Sequence, residues 1–155
     1  MILTVNAGSS SLKVGLFHGE GSDRSEISST IERLDSRGGR WTFVSGHEQG
    51  EGSRVHSTHD DALVELLEWL DARGYRDRIE AAGHRVVHGW ITHVEPTVVD
   101  EALLGDLERL IPMDPGHLPQ AIACMRILTR SLPELPQIAC FDTAFHHTMP
   151  RVARM

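Results

Sequence analysis

The chain is poor in several residue types that would each point to a function class. Its 155 residues contain two cysteines, Cys124 and Cys140, too few and too far apart for a zinc ribbon or a C-x-x-C redox pair. Both are expected to be reduced, buried small hydrophobes. Aromatic residues make up only 5%, and no apolar run approaches the roughly 20 residues of a membrane span. The start, Met1-Ile2-Leu3-Thr4-Val5, has neither the basic region nor the cleavage site of a signal peptide. Positive charge is scarce as well: 15 Lys and Arg stand against 22 Asp and Glu, for a formal net charge of −7. An acidic balance argues against a nucleic-acid partner. These absences predict a soluble, cytoplasmic protein with no membrane or nucleic-acid partner. Lysine is the rarest basic residue, since Lys13 is the only one.

What is present suffices for a core. Hydrophobic residues account for 40% and there are 14 glycines, a share normal for one globular domain of this length. Short β-type runs fill the first third: residues 2–5, residues 12–17 after the turn Asn6-Ala7-Gly8-Ser9-Ser10-Ser11, then 25–34, 41–44 and 54–56. They read as an antiparallel meander. The period then changes. Leu63, Leu66, Leu67 and Leu70 recur at helical spacing within residues 58–73, ahead of Gly74 as a stop. Residues 79–88 predict a strand, 100–110 and 119–131 two helices with Pro119 in a first turn, and 137–141 a buried strand ending at Asp142. Strands alternating with helices indicate an α/β domain with a partly parallel sheet. No helix is expected after that last strand.

Three segments carry residue types suited to chemistry. Residues 6–13 combine a turn, three hydroxyls and the lone ammonium, the parts that phosphate oxygens require. The segment is not a Walker A loop, because Leu12 rather than Gly precedes Lys13 and a strand follows. If extended, it sets Ser9, Ser11 and Lys13 on one face; an ordinary polar hairpin turn is the plain alternative. In Gly83-His84-Arg85-Val86-Val87-His88-Gly89, a zinc pair of His84 and His88 lacks the accompanying glutamate, and the valines favour a strand. On a strand Arg85 and Val87 share a face, where a guanidinium beside an apolar side chain suits a small carboxylate with a short tail. Asp142, at the carboxyl end of a buried strand, lies where open α/β sheets bind ligands. A turn or capping Asp is its alternative, and His146 and His147 read as loop histidines.

In this order the three segments resemble the acetate kinase family, within the acetate and sugar kinase, Hsc70 and actin superfamily. Residues 6–13 are similar to its N-terminal signature, 83–89 to its second signature, and 140–150 to the segment ending its first domain. The resemblance runs along the whole chain. It implies an actin-like ATPase, ribonuclease H-like fold over residues 1–142, without the family's returning C-terminal helix, and a connection toward a second domain over 143–155. It also implies reversible transfer of the γ-phosphoryl of ATP to acetate, with Mg²⁺ bound to the nucleotide, in a parent protein expected to be a homodimer. By position, Asn6 would serve the metal and nucleotide, and Ser9, Ser11 and Lys13 the phosphates. Arg85 would bind the carboxylate or transferred phosphoryl, Val87 and Met113 would line the acyl pocket, and Asp142 would be the catalytic acid residue.

Two departures stand out. Where the family has Pro-Leu-His-Asn, this chain has Pro112-Met113-Asp114-Pro115, so an anion replaces a histidine and calls for a partner or a proton. His117 is the nearest substitute. Trp90 also stands where the second signature continues with glycine. With the second domain's share missing, the chain by itself is expected to be inactive. A stand-alone phosphate- or partner-binding module, or part of a kinase for another short-chain carboxylate, is the alternative.

Overall fold

The computed structural model describes residues 1–19, 24–34, 39–53, 58–90 and 92–146. Eight strands form one mixed sheet: β1 (Ile2–Ala7), β2 (Ser11–Phe17), β3 (Ser25–Glu32), β4 (Arg40–Ser45), β5 (Glu48–Ser53), β6 (Ala81–Val86), β7 (Thr97–Val98) and β8 (Gln137–Phe141). Their order across the sheet is β5-β4-β3-β2-β1-β6-β8-β7. The first five make the expected antiparallel meander, whereas β1, β6 and β8 run parallel. The sheet therefore changes character at β1, the hydrogen-bonded neighbour of both halves.

Four helices follow the period change: α1 (His59–Asp71), α2 (Glu101–Leu110), α3 (Leu118–Ser131) and the single turn α4 (Thr143–His146). Side-chain caps fix two of the starts. The Asp61 amide donates to Thr58 Oγ1 and the Leu103 amide to Asp100 Oδ1, each satisfying an otherwise orphaned helical donor. Gly74, left-handed at φ +72°, turns the chain out of α1.

Strand alternation sends Leu3, Val5, Leu12, Val14, Leu16, Ala82 and Val86 to one face, where they pack under α1, α2 and α3. Leucines 63, 66, 67 and 70 of α1 and Leu103, Leu104 and Leu107 of α2 complete that core. One polar chain runs through it. His84 lies within 2.8 Å of Gln137 Oε1, Gln137 Nε2 donates to Thr129 Oγ1 at 2.9 Å, and Thr129 donates to the Met125 carbonyl. Because Gln137 offers its oxygen, the His84 ring must donate from Nε2. The opposite face carries Thr4, Asn6, Lys13, Gly83, Arg85 and Cys140, together with exposed Ile2, Val44 and Val98. Among the described residues, no helix of the two core clusters covers it.

The structure differs from expectation in five places. The strand expected at residues 54–56 lies outside the described residues, and Glu48–Ser53 forms an unexpected polar edge strand without apolar alternation that Gly46 (φ +57°) closes onto β4. The two-residue β7 carries no legible pattern. Strand β6 ends at Val86 rather than at residue 88. A helical turn, α4, does follow β8. Cys140 is exposed, because the β8 register sets it opposite Arg85 on the uncovered face. Cys124 is buried, as expected, and burial pushes its thiol up to about 12. No helix among the described residues is long and apolar enough to cross a membrane.

Two outcomes follow. The apolar residues on the uncovered face should drive concentration-dependent association of the 155-residue chain; light scattering that shows a clean monomer would contradict this. Burial lowers His84 to about 4 against an ordinary value of 6.5. Between those values the unfolded chain binds the extra proton, so stability falls as pH drops from 6.5 toward 4, by up to about 3 kcal/mol in total from this group. Ring resonances of His84 should accordingly not titrate above about pH 5. A midpoint near the ordinary histidine value would show that the ring is hydrated.

Candidate active site

The catalytic candidates meet on the uncovered face at the carboxyl ends of β1, β6 and β8. Asn6 of β1 lies directly opposite Lys13 of β2, and Arg85 of β6 opposite Cys140 of β8. The β1–β6 register runs through Val5 and His84, so one step further it sets Asn6 beside Arg85. Lys13, Asn6, Arg85 and Cys140 thus form a row across four neighbouring strands. The carboxylate of Asp142, one residue beyond β8, closes it.

Arg85 is the hub of this row. Its Nε donates to Asp142 Oδ1 at 3.0 Å and Oδ2 at 3.1 Å, its Nη2 to Oδ2 at 2.6 Å, and its Nη1 to Asn6 Oδ1 at 3.4 Å. The hydrogen bonds to Asp142 raise the guanidinium above its ordinary value, while burial acts the other way. Half of the Arg85 side chain remains open to solvent.

The hairpin between β1 and β2 supplies the hydroxyls. The Gly8 amide donates to the Ser11 carbonyl at 2.8 Å, and a Cβ on Gly8 would lie 2.8 Å from Ser11 Oγ, so the tight turn favours glycine there. Ser11 and Lys13 share a face of β2, whereas Ser9 sits exposed at the tip of the turn, outside either strand. Two contacts hold the turn from behind. The Leu34 amide donates to the Ser10 carbonyl, and His59, at the start of α1, lies with Nε2 2.7 Å from the Gly8 carbonyl, to which it must donate. Nothing in the sequence pattern singles out His59 for this contact.

Other candidates stand outside this row. Val87 is half-buried in a bend after β6, so strand alternation no longer assigns its face. Met113 is 57% exposed on the turn joining α2 to α3. His117 Nδ1 lies 2.8 Å from Asp114 Oδ1, whereas Asp114 Oδ2 is buried with no hydrogen-bond partner among the described residues. His84 is buried under the sheet and His88 Nδ1 accepts from the Trp90 amide at 2.8 Å, so they form no zinc pair. Among the described residues, no group of three His, Cys, Asp or Glu side chains could hold a metal alone. His147 lies outside the described residues.

Comparison with known proteins bears on this arrangement. The model of the acetokinase family matches residues 1–155. The chain belongs to the acetokinase family. Acetate kinase 1 of Neisseria meningitidis serogroup A is 38% identical over 154 residues, covering 99% of this chain and 38% of the relative. The acetate kinase of Streptomyces coelicolor is 38% identical over 157 residues, again 38% of its length. Among solved structures, a propionate kinase from Francisella tularensis superposes with a TM-score of 0.87 at 32% identity, over 96% of this chain and 38% of that one. Porphyromonas gingivalis acetate kinase gives 0.85 at 28%, over 96% and 39%. The chain therefore has an acetokinase fold but spans less than half the length of these relatives.

Trp90 stands at a strained backbone position. It has φ +55°, immediately after Gly89, whose missing Cβ would fall 2.3 Å from the His93 carbonyl oxygen. A bulky side chain in the left-handed region costs roughly 1–2 kcal/mol, which glycine avoids. Urea unfolding should find Trp90→Gly more stable than Trp90→Ala by about 1 kcal/mol. Equal stabilities would show that the loop relaxes around either residue.

Proposed function

We propose that this chain supplies one wall of the active site of a phosphotransferase that moves the γ-phosphoryl of ATP reversibly onto acetate or another short carboxylate. The observation that carries this reading is the row of Lys13, Asn6 and Arg85 with Asp142 at its end. It combines two cations with two oxygen donors where the carboxyl ends of parallel β1, β6 and β8 meet the start of antiparallel β2, and open sheets bind ligands at such strand ends.

The chemistry asks little covalent work of the protein. A carboxylate oxygen attacks the γ-phosphorus in line, the bond from phosphorus to the β,γ-bridging oxygen breaks, and ADP departs with that electron pair. The nucleophile is already an anion at neutral pH, so no proton has to leave it, and catalysis reduces to positioning and charge stabilisation. Arg85 would hold the carboxylate or the phosphoryl in flight. Lys13, with the Ser9 and Ser11 hydroxyls, would bind phosphate oxygens, and the apolar side chain of Val87 would adjoin the acyl tail.

Magnesium suits the two oxygen donors. Asn6 Oδ1 and the Asp142 carboxylate already converge on a positive group, the Arg85 guanidinium. One carboxylate and one amide oxygen are a fitting share for Mg²⁺ held mainly through nucleotide phosphates. When bound, the ion would neutralise charge on the phosphates. A cytoplasmic setting and a homodimeric parent accord with such an enzyme.

Each of the relatives above extends well beyond the length of this chain. The nucleotide and half of the charge stabilisation are assigned to that further length, so these 155 residues alone should bind anions without turning over. A hydroxamate assay with acetate, ATP and Mg²⁺ should give no product from the chain by itself. Acetate or inorganic phosphate should still shift the Arg85 side-chain resonance, and Arg85→Ala should weaken anion binding at least about tenfold. Family-like turnover by the chain, or unchanged binding in the variant, would overturn the assignment.

A further inference from the structure

The Arg85 guanidinium already holds a carboxylate in this structure, one that belongs to the chain itself. Asp142 takes the Nε/Nη2 edge with both oxygens, at 3.0 and 3.1 Å from Nε and 2.6 Å from Nη2. That two-pronged contact is the one by which a guanidinium recognises any carboxylate. A substrate carboxylate must either displace Asp142 from this edge or settle on the outer Nη1/Nη2 end beside a like charge. Both routes set Asp142 against the substrate.

We propose that Asp142 is an internal occupant of the carboxylate site, holding the Nε/Nη2 edge of Arg85 until a substrate anion replaces it, and that a divalent cation attracted to Asp142 promotes the exchange. The proposal deepens the phosphotransferase reading and rests on it. Cation and carboxylate then bind with positive linkage, each making room for the other. Three features make the exchange inexpensive. The pair is open to solvent, with 51% of the Arg85 side chain and 38% of the Asp142 side chain exposed, so little stability is lost when it parts. The Asp142 backbone is held separately, its amide donating to the Val86 carbonyl at 2.9 Å, so the carboxylate can turn away about its own side-chain bonds. Asn6 keeps a grip on Nη1, which preserves the orientation of the guanidinium plane when Asp142 leaves.

The test uses the 155-residue chain labelled with ¹⁵N-arginine, following the Arg85 Nε–H resonance, which is identified by its loss in Arg85→Lys. Titration with sodium acetate should show weak binding in the unmodified chain and binding about five- to tenfold tighter in Asp142→Asn and Asp142→Ala. Magnesium chloride, compared with sodium chloride at equal ionic strength, should tighten acetate binding in the unmodified chain and leave both variants unchanged. Weaker or unchanged acetate binding in the variants would overturn the proposal and make Asp142 a positioning residue for Arg85. A magnesium effect that is absent, or that persists in the variants, would overturn the linkage to the cation. If acetate shifts Arg85 in none of the proteins while their spectra remain those of a folded chain, the carboxylate-site reading itself fails, and the proposal with it.

Discussion

The site depends on the pairing of β6 between β1 and β8. Asn6, Arg85 and Asp142 are 57 to 79 residues apart in pairwise sequence separation from Arg85, yet they share one hydrogen-bonded cluster. Only the parallel register brings them together: Val5 opposite His84 delivers Asn6 to Arg85, and Val86 opposite Phe141 delivers Asp142 to the same guanidinium. A slip of one residue in either ladder would turn Arg85 under the helices and His84 outward. The register is therefore guarded by the buried side of β6. Ala82 and Val86 pack in the core there, and His84 is satisfied only by Gln137 of β8. The buried polar contact and the exposed ionic one are opposite sides of the same strand, and the first sets the second.

The distribution of helices follows from the same alternation. All the large buried side chains of β1, β2, β6 and β8 point one way, and α1, α2 and α3 gather on that side. The other face is left to polar groups near the carboxyl ends of the parallel strands and to exposed aliphatic residues elsewhere. Functional groups accordingly stand on strands rather than on long loops, with backbone positions fixed by ladder hydrogen bonds on both sides. The hydroxyl-bearing turn at residues 8–11 is the exception. It is steadied from outside its own hairpin, by Leu34 below and His59 behind.

Legibility in the sequence followed the strength of the physical signal. Helix α1 was readable because leucine periodicity and the Gly74 stop agreed, and α3 through Pro119 in its first turn. Edge strands β5 and β7 were not, since a strand exposed on both sides needs no alternation, and Glu48–Ser53 is held by pairing with β4, the Gly46 turn and an ion pair from Arg73 to Glu48. Arg85 and Asp142 were found from residue type and position at strand ends, but their mutual contact depends on a register that one strand's sequence does not encode. The same ignorance of register misjudged Cys140, whose apolar flanks Ala139 and Phe141 face the core while it faces Arg85. Extending β6 to residue 88 failed because valines favour a strand while Gly89 must pass under His93 and against Phe141, where the ladder cannot continue. The demand that Asp114 be paired was legible from charge alone, and His117 meets it at one oxygen while the other stays buried without a partner among the described residues.

Charge scarcity connects these observations. In a chain of net charge −7, an anion-binding surface cannot rest on a general positive field and must be made locally. The row does this with two cations, Lys13 and Arg85, set on strands β2 and β6 with the neutral Asn6 between them. Asp142 offsets one of the two while no ligand is bound, which limits mutual repulsion on a surface without buried counter-charge. Withdrawing that carboxylate would leave the second cation without its offset on the exposed face, and a single side chain at the end of β8 can thus change the local field without moving the sheet.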